Sequence, residues 1–97
     1  MIFDWDPEKN EKLKAERGIS FEEIALLLGN GQAWRVAEHW NKEKYPGQSV
    51  FFLPVDGYVY LVPYVDDESV IFLKTAIPSR KATKEYLKEL EDQHEYE

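Results

Sequence analysis

The chain has 97 residues, 43% of them hydrophobic and 14% aromatic, enough for one buried core and too apolar for a disordered segment. Cysteine is absent, which excludes disulfide frameworks, zinc knuckles and thiol nucleophiles. Nineteen acidic residues against twelve basic ones give a net charge of -7, which counts against broad, nonspecific binding of nucleic acid.

The stretch Met1–Asp6 lacks the basic region and long apolar run of a signal peptide, and no window reaches the length of a membrane span. We therefore expect a single cytoplasmic domain over residues 1–97, without membrane contact. Residues from about 91 to 97, which include Glu91, Asp92, Glu95 and Glu97, read as a fraying acidic tail.

Ile2 to Trp5 is bulky and alternating, a short first strand. Asp6 is placed to cap a helix that Pro7 opens, running to about Arg17, with Gly18 as its left-handed stop. Only Leu13 and Ala15 give that helix an apolar face, so it is expected on the surface. Ser20 and Glu23 form a capping box for a second helix, flanked by Ile19 and Ile24 as a hydrophobic staple. Phe21, Ile24, Ala25 and Leu28 give it one apolar face, and Gly29-Asn30-Gly31 ends it.

The period then changes to two. Trp34 to Trp40 alternates as a half-buried strand, and Asn41 to Gln48 is a polar loop. Val50–Val55 and Tyr58–Val65 flank Asp56-Gly57, a strong hairpin signal. In that register both Pro54 and Pro63 point their missing donors away from the hairpin partner. Pro54 suits a local sheet edge, and Pro63 predicts a bulge or an early end to the ladder with the next strand. Asp66-Asp67-Glu68-Ser69 is a second turn, and Val70–Ile77 the last strand, apolar on both faces and so central. Ser79 caps a final helix whose buried stripe is Ala82, Tyr86, Leu87 and Leu90. The fold class is α+β: an antiparallel β-sheet of about four to five strands, two N-terminal helices and one C-terminal helix, with the helices on one side.

Four basic residues, Arg80, Lys81, Lys84 and Lys88, cluster at the start of the final helix. Arg80, Lys84 and Lys88 share a face. Cations at a helix N-terminus oppose the macrodipole, by about 0.3–1 kcal/mol each, so a solvated face held by Lys81–Glu85 and Lys88–Asp92 pairs is weighed here against an anion site. His39 ends a strand before a loop carrying Lys44 and Tyr45. RNA cleavage needs a base for the 2′-hydroxyl, cations for the phosphoryl charge and an acid for the leaving oxygen. His39 or Tyr45 is a candidate for proton transfer, and Arg80, Lys81 and Lys44 for the phosphate. The competing reading of His39 is a strand histidine bonded to its own loop. Asp4, Asp6 and Glu8 are explained by helix capping, so no metal and no cofactor is assigned. Tyr58, Tyr60 and Tyr64 share a strand face and are read as packing.

Three segments resemble the BrnT family, toxins of bacterial type II toxin–antitoxin systems. They are Phe3-Asp4-Trp5-Asp6-Pro7-Glu8-Lys9-Asn10, Arg17-Gly18-Ile19-Ser20-Phe21-Glu22-Glu23 and Pro78-Ser79-Arg80-Lys81-Ala82-Thr83-Lys84. The resemblance implies a RelE-like fold and a metal-independent endoribonuclease that halts translation, with Arg80 and Lys81 matching the closing motif. It also implies a cognate antitoxin, typically with a ribbon-helix-helix part, which covers the toxin and reaches operator DNA on the complex's behalf. The chain departs from the family at Glu16-Arg17-Gly18, where Lys-His-Gly is usual, at Gln48, where arginine often stands, and in its acidic balance. A noncatalytic module of the same fold, docking the antitoxin and contributing to operon autorepression, is the alternative these departures motivate.

Overall fold

The computed structural model describes residues 2–94. Its elements in chain order are β1 (Ile2–Trp5), α1 (Pro7–Arg17), α2 (Phe21–Gly29), β2 (Arg35–Glu38), β3 (Ser49–Val55), β4 (Tyr58–Asp67), β5 (Val70–Leu73), β6 (Ile77–Pro78) and α3 (Arg80–His94). The fold is α+β. The sheet runs β1-β5-β4-β3-β2, with β6 on β4. Successive strands pair antiparallel, but β1 lies parallel to β5, with Ile2 opposite Val70 and Trp5 opposite Leu73. The sheet is thus mixed rather than antiparallel throughout. The reason is connectivity: β1 enters through two helices and not through a hairpin, so nothing forces it to run against its neighbour.

The caps form as the sequence indicates. The Asp6 carboxylate accepts from the Glu8 amide, Gly18 stops α1 at φ 67°, and Ser20 Oγ accepts from the Glu23 amide at 3.1 Å. Asp56 and Gly57 take φ of 52° and 82° in the β3–β4 turn, the left-handed pair that a two-residue hairpin requires. The following turn is tighter than expected. Asp66 and Asp67 stay in the ladder opposite Ile71 and Val70.

One residue of α1 does more than its sequence suggests. Asn10 is buried, and its side chain bridges to α2: Oδ1 accepts from the Phe21 amide at 2.8 Å, and Nδ2 donates to Glu22 at 2.6 Å. This satisfies an amide of α2's first turn that no intrahelical carbonyl reaches. The core lies between α1 and α2 and one sheet face, formed by Leu13, Ile19, Phe21, Ile24, Leu53, Val62, Tyr64, Ile71, Leu73 and Ala76. Tyr64 is stacked on Phe51 there at 4.0 Å, and Tyr60, partly buried, packs against the core, so two of the three aligned tyrosines serve packing.

The third helix is on the other face. Phe52 and Leu61 alternate with the core residues of β3 and β4, and they border a depression with Ala82 and Glu85 of α3. Trp34 packs edge-on against Tyr86 at 5.2 Å, and Arg35 lies 4.0 Å over Trp34 while reaching Glu85 and Glu89. The expected single helical layer is therefore corrected to two helices on one face and one on the other. Thr83 anchors α3 by accepting the Val59 amide at 2.9 Å, a donor that Pro54 opposite leaves turned outward. The buried stripe of α3 is also shorter than expected. Ala82 and Thr83 are buried and Tyr86 half-buried, but Leu87 is 49% and Leu90 36% exposed. The helix continues through Glu91 and Asp92 to His94, and residues 95–97 of the expected tail lie outside the described residues. No helix among the described residues is long and apolar enough to cross a membrane.

The strand expected over Val70–Ile77 divides into β5 and β6, and Pro63 shows why. The β4–β5 ladder ends at Tyr64 opposite Leu73, and the β4–β6 ladder begins at Leu61 opposite Ile77. Between those pairs, Val62 and Pro63 face Lys74, Thr75 and Ala76, so one extra residue bulges from the strand. The carbonyl of Pro63 still accepts from the Lys74 amide at 2.8 Å, but Pro63 has no N–H to return a bond. The Ala76 carbonyl, released from the ladder, is taken by the Arg17 guanidinium at the end of α1.

Candidate functional site

β2 is an exposed edge strand of four residues, shorter than the stretch Trp34–Trp40 that alternates in sequence. Its pairing to β3 is prolonged at either end, by the Trp34 amide to the Phe52 carbonyl at 2.9 Å and by the His39 amide to the Gln48 carbonyl at 3.1 Å. The loop between these residues is organised by Asn41. Its amide donates to His39 Nδ1 at 3.0 Å, its side chain accepts from the Lys44 amide, and its carbonyl accepts from the Tyr45 amide. The loop thus folds back, and the Tyr45 ring comes to 4.6 Å from the imidazole. Trp40 stacks on the same imidazole at 4.1 Å, nearly parallel at 27°.

His39 is only 4% exposed, and it lines a cleft at the bulge opposite. Lys74, Thr75, Ile77, Pro63, Gln48 and, from α1, Lys9 line it as well. The cleft measures about 250 Å³, below the roughly 300–1,000 Å³ of sites that enclose a whole small ligand. It is a notch suited to part of a larger molecule.

The protonation of His39 follows from its hydrogen bond. Because Nδ1 accepts from the Asn41 amide, the neutral ring carries its proton on Nε2 and is a donor there. Lys44 has its ammonium 5.3 Å from the centre of the Tyr45 ring and does not line the cleft. The neighbouring Lys42 pairs with Glu38, and this contact holds the Glu38 carboxyl below its ordinary value.

The basic cluster of α3 lies apart. Lys81 borders the depression next to the cleft, and Trp40 lines both. Arg80 is exposed at the start of α3 and lines neither. Two amides of α3's first turn are occupied: Ala82 donates to Ser79 Oγ at 3.1 Å and Thr83 to the Ser79 carbonyl at 3.0 Å. The Lys81–Glu85 and Lys88–Asp92 pairs do not form among the described residues. Glu85 turns to Arg35, and Arg80, Lys81, Lys84 and Lys88 have no carboxylate partner among the described residues. The acidic group near the N-terminus is used locally, with Asp4 accepting from the Trp5 amide and Asp6 capping α1.

The fold therefore joins His39 and Tyr45, sets Lys81 beside them across Trp40, and leaves Arg80 and Lys44 outside the cleft. Lys9, Lys74 and Thr75 are among the lining residues that the sequence alone does not single out. Pro63 was the available signal for Lys74, since a bulge beside a proline re-aims the residues across from it. Lys9 had none, because it arrives from a helix on a separate stretch of chain. Compared with models of known protein families, with curated proteins and with solved structures, the chain has no match.

Proposed function

We propose that this chain is a BrnT-like toxin of a bacterial type II toxin–antitoxin system, with a RelE-like ribonuclease fold, acting on RNA in the cytoplasm. A cognate antitoxin, of ribbon-helix-helix type, neutralises it and carries the pair to operator DNA. The observation that carries the reading is the cleft in which His39 and Tyr45 meet Lys9 and Lys74. It supplies a phenol hydroxyl able to relay a proton and an imidazole N–H donor beside two cations, a set that phosphodiester cleavage can use.

In that reaction the 2′-hydroxyl attacks the adjacent phosphorus, the bond to the 5′-oxygen breaks, and a cyclic phosphate is left. Lys74 and Lys9 stabilise the phosphoryl charge. His39 donates a hydrogen bond from Nε2 to a phosphoryl oxygen, and the Tyr45 hydroxyl relays the 2′-hydroxyl proton to the departing 5′-oxygen. Arg80 and Lys81 contact flanking phosphates from the unpaired α3 stripe, and Lys44 supports the Tyr45 ring from outside.

Inducible expression without the antitoxin tests the reading. Growth arrest with RNA decay is expected, relieved by Tyr45→Phe and by Lys74→Ala. Relief by the Arg80→Ala, Lys81→Ala double variant with none from Lys74→Ala would move the site to α3. One observation favours a second reading, a noncatalytic module that docks the antitoxin: Leu87 and Leu90 stand exposed on α3, a stripe on which a partner helix can lie. Normal growth together with a tight antitoxin complex would establish that reading in place of the first.

A further inference from the structure

Of the three tryptophans, two are packed. Trp5 stacks on Phe21 of the core at 5.8 Å, and Trp34 is wedged between Phe52 and Tyr86. Trp40 is 60% exposed. It is not loosely placed, because one side of the indole lies on the His39 ring, and that ring is buried and tied to the Asn41 amide. Trp40 also stands at the boundary of the two depressions on this face. Lys9 and Lys74 lie on one side of it and Lys81 on the other, none of them paired with a carboxylate among the described residues. Arg35, by contrast, is engaged by Glu85 and Glu89.

We infer that Trp40 is a stacking platform for one unpaired nucleobase, so that the substrate of the His39 cleft is single-stranded RNA. This inference rests on the RNA reading above. An indole held in place loses little freedom when a base covers it, and stacking accepts any base because each has a π face. The lysines on either side match the phosphates that precede and follow such a base. A duplex offers no open base face and cannot engage the platform without unpairing.

The test uses the full chain and a labelled single-stranded oligoribonucleotide with 2′-O-methyl groups, which blocks cleavage, read by fluorescence anisotropy at several salt concentrations. Trp40→Phe keeps an aromatic face and should bind within about threefold of the parent, whereas Trp40→Leu should bind about tenfold or more weakly. Loss of stacking removes no phosphate contact, so the salt dependence of Trp40→Leu should match the parent, while that of Lys74→Ala should be shallower. Parent binding equal to that of Trp40→Leu overturns this inference and leaves the RNA reading in place, as does equal affinity for a duplex. A parent chain that binds no oligoribonucleotide overturns both. A Trp40→Leu chain that binds RNA normally but loses a protein partner assigns the indole to that partner and likewise overturns the inference.

Discussion

Replacing Asn10 by alanine should destabilise the protein more than removing Ser20, the N-cap of α2. The Phe21 amide lies at the start of α2, beside a fully buried side chain, and its acceptor is Asn10 Oδ1 at 2.8 Å. Alanine leaves that amide without a partner and without water. A buried donor left unsatisfied costs about 1–3 kcal/mol. With a urea m-value of about 1–3 kcal/mol per molar for a domain of this size, the midpoint should fall by roughly 1 M at unchanged m. The thermal midpoint should drop by roughly 10 °C. Ser20→Ala is the internal reference. It removes an ordinary N-cap bond to the Glu23 amide, worth about 1 kcal/mol. Asn10→Asp separates the two halves of the bridge. It keeps the acceptor for Phe21 but replaces the donor to Glu22 with a second carboxylate, so it should be destabilised near neutral pH and partly restored by Glu22→Gln. If Asn10→Ala moves the midpoint by less than Ser20→Ala does, the side chain does not hold α2, and the account of how α1 is joined to it is wrong.

Two further outcomes follow from the same geometry. Thr83→Val is nearly isosteric and leaves the buried Val59 amide without an acceptor, so it should cost about 1–3 kcal/mol in urea titration; Thr83→Ser should recover most of that. Glu22 accepts from Asn10, and this bond chiefly holds its carboxyl below the ordinary value of 4.5. Its folded value is depressed, so its stabilising contribution is complete above 4.5 and fades as pH falls through the lowered folded value. NMR titration should therefore return Glu22 toward its ordinary value in Asn10→Ala, and an unchanged titration would contradict the bond.

What the sequence could disclose depended on whether a feature is local. The Ser20–Glu23 cap, the Asp56-Gly57 turn and the interruption opposite Pro63 each depend on residues within a few positions, or on a register that the turn itself sets. The parallel partner of β1 depends on packing across almost the whole chain, and no periodicity in Ile2–Trp5 specifies it. Asn10 read as one more polar residue of a thin helix because its partners belong to the next helix. Leu87 and Leu90 carry the same spacing whether a helix face meets a sheet or solvent, so their exposure had to be seen. Within the site, His39 and Tyr45 were legible because one short loop carries both. Lys9 and Lys74 were not, since three separate elements converge on the cleft.

The parallel pairing of β1 with β5 also bears on when the protein can exist. The first strand leaves the ribosome long before Val70–Leu73 has been translated, so it has no edge to join. Its neighbours α1 and α2 likewise wait for Ile71 and Leu73, which complete the core they cover. Pairings so distant along the chain form late, after the more local hairpins that frame them. The bulge carrying Lys74 comes later still, so a nascent chain has no cleft around His39 until that segment has been made.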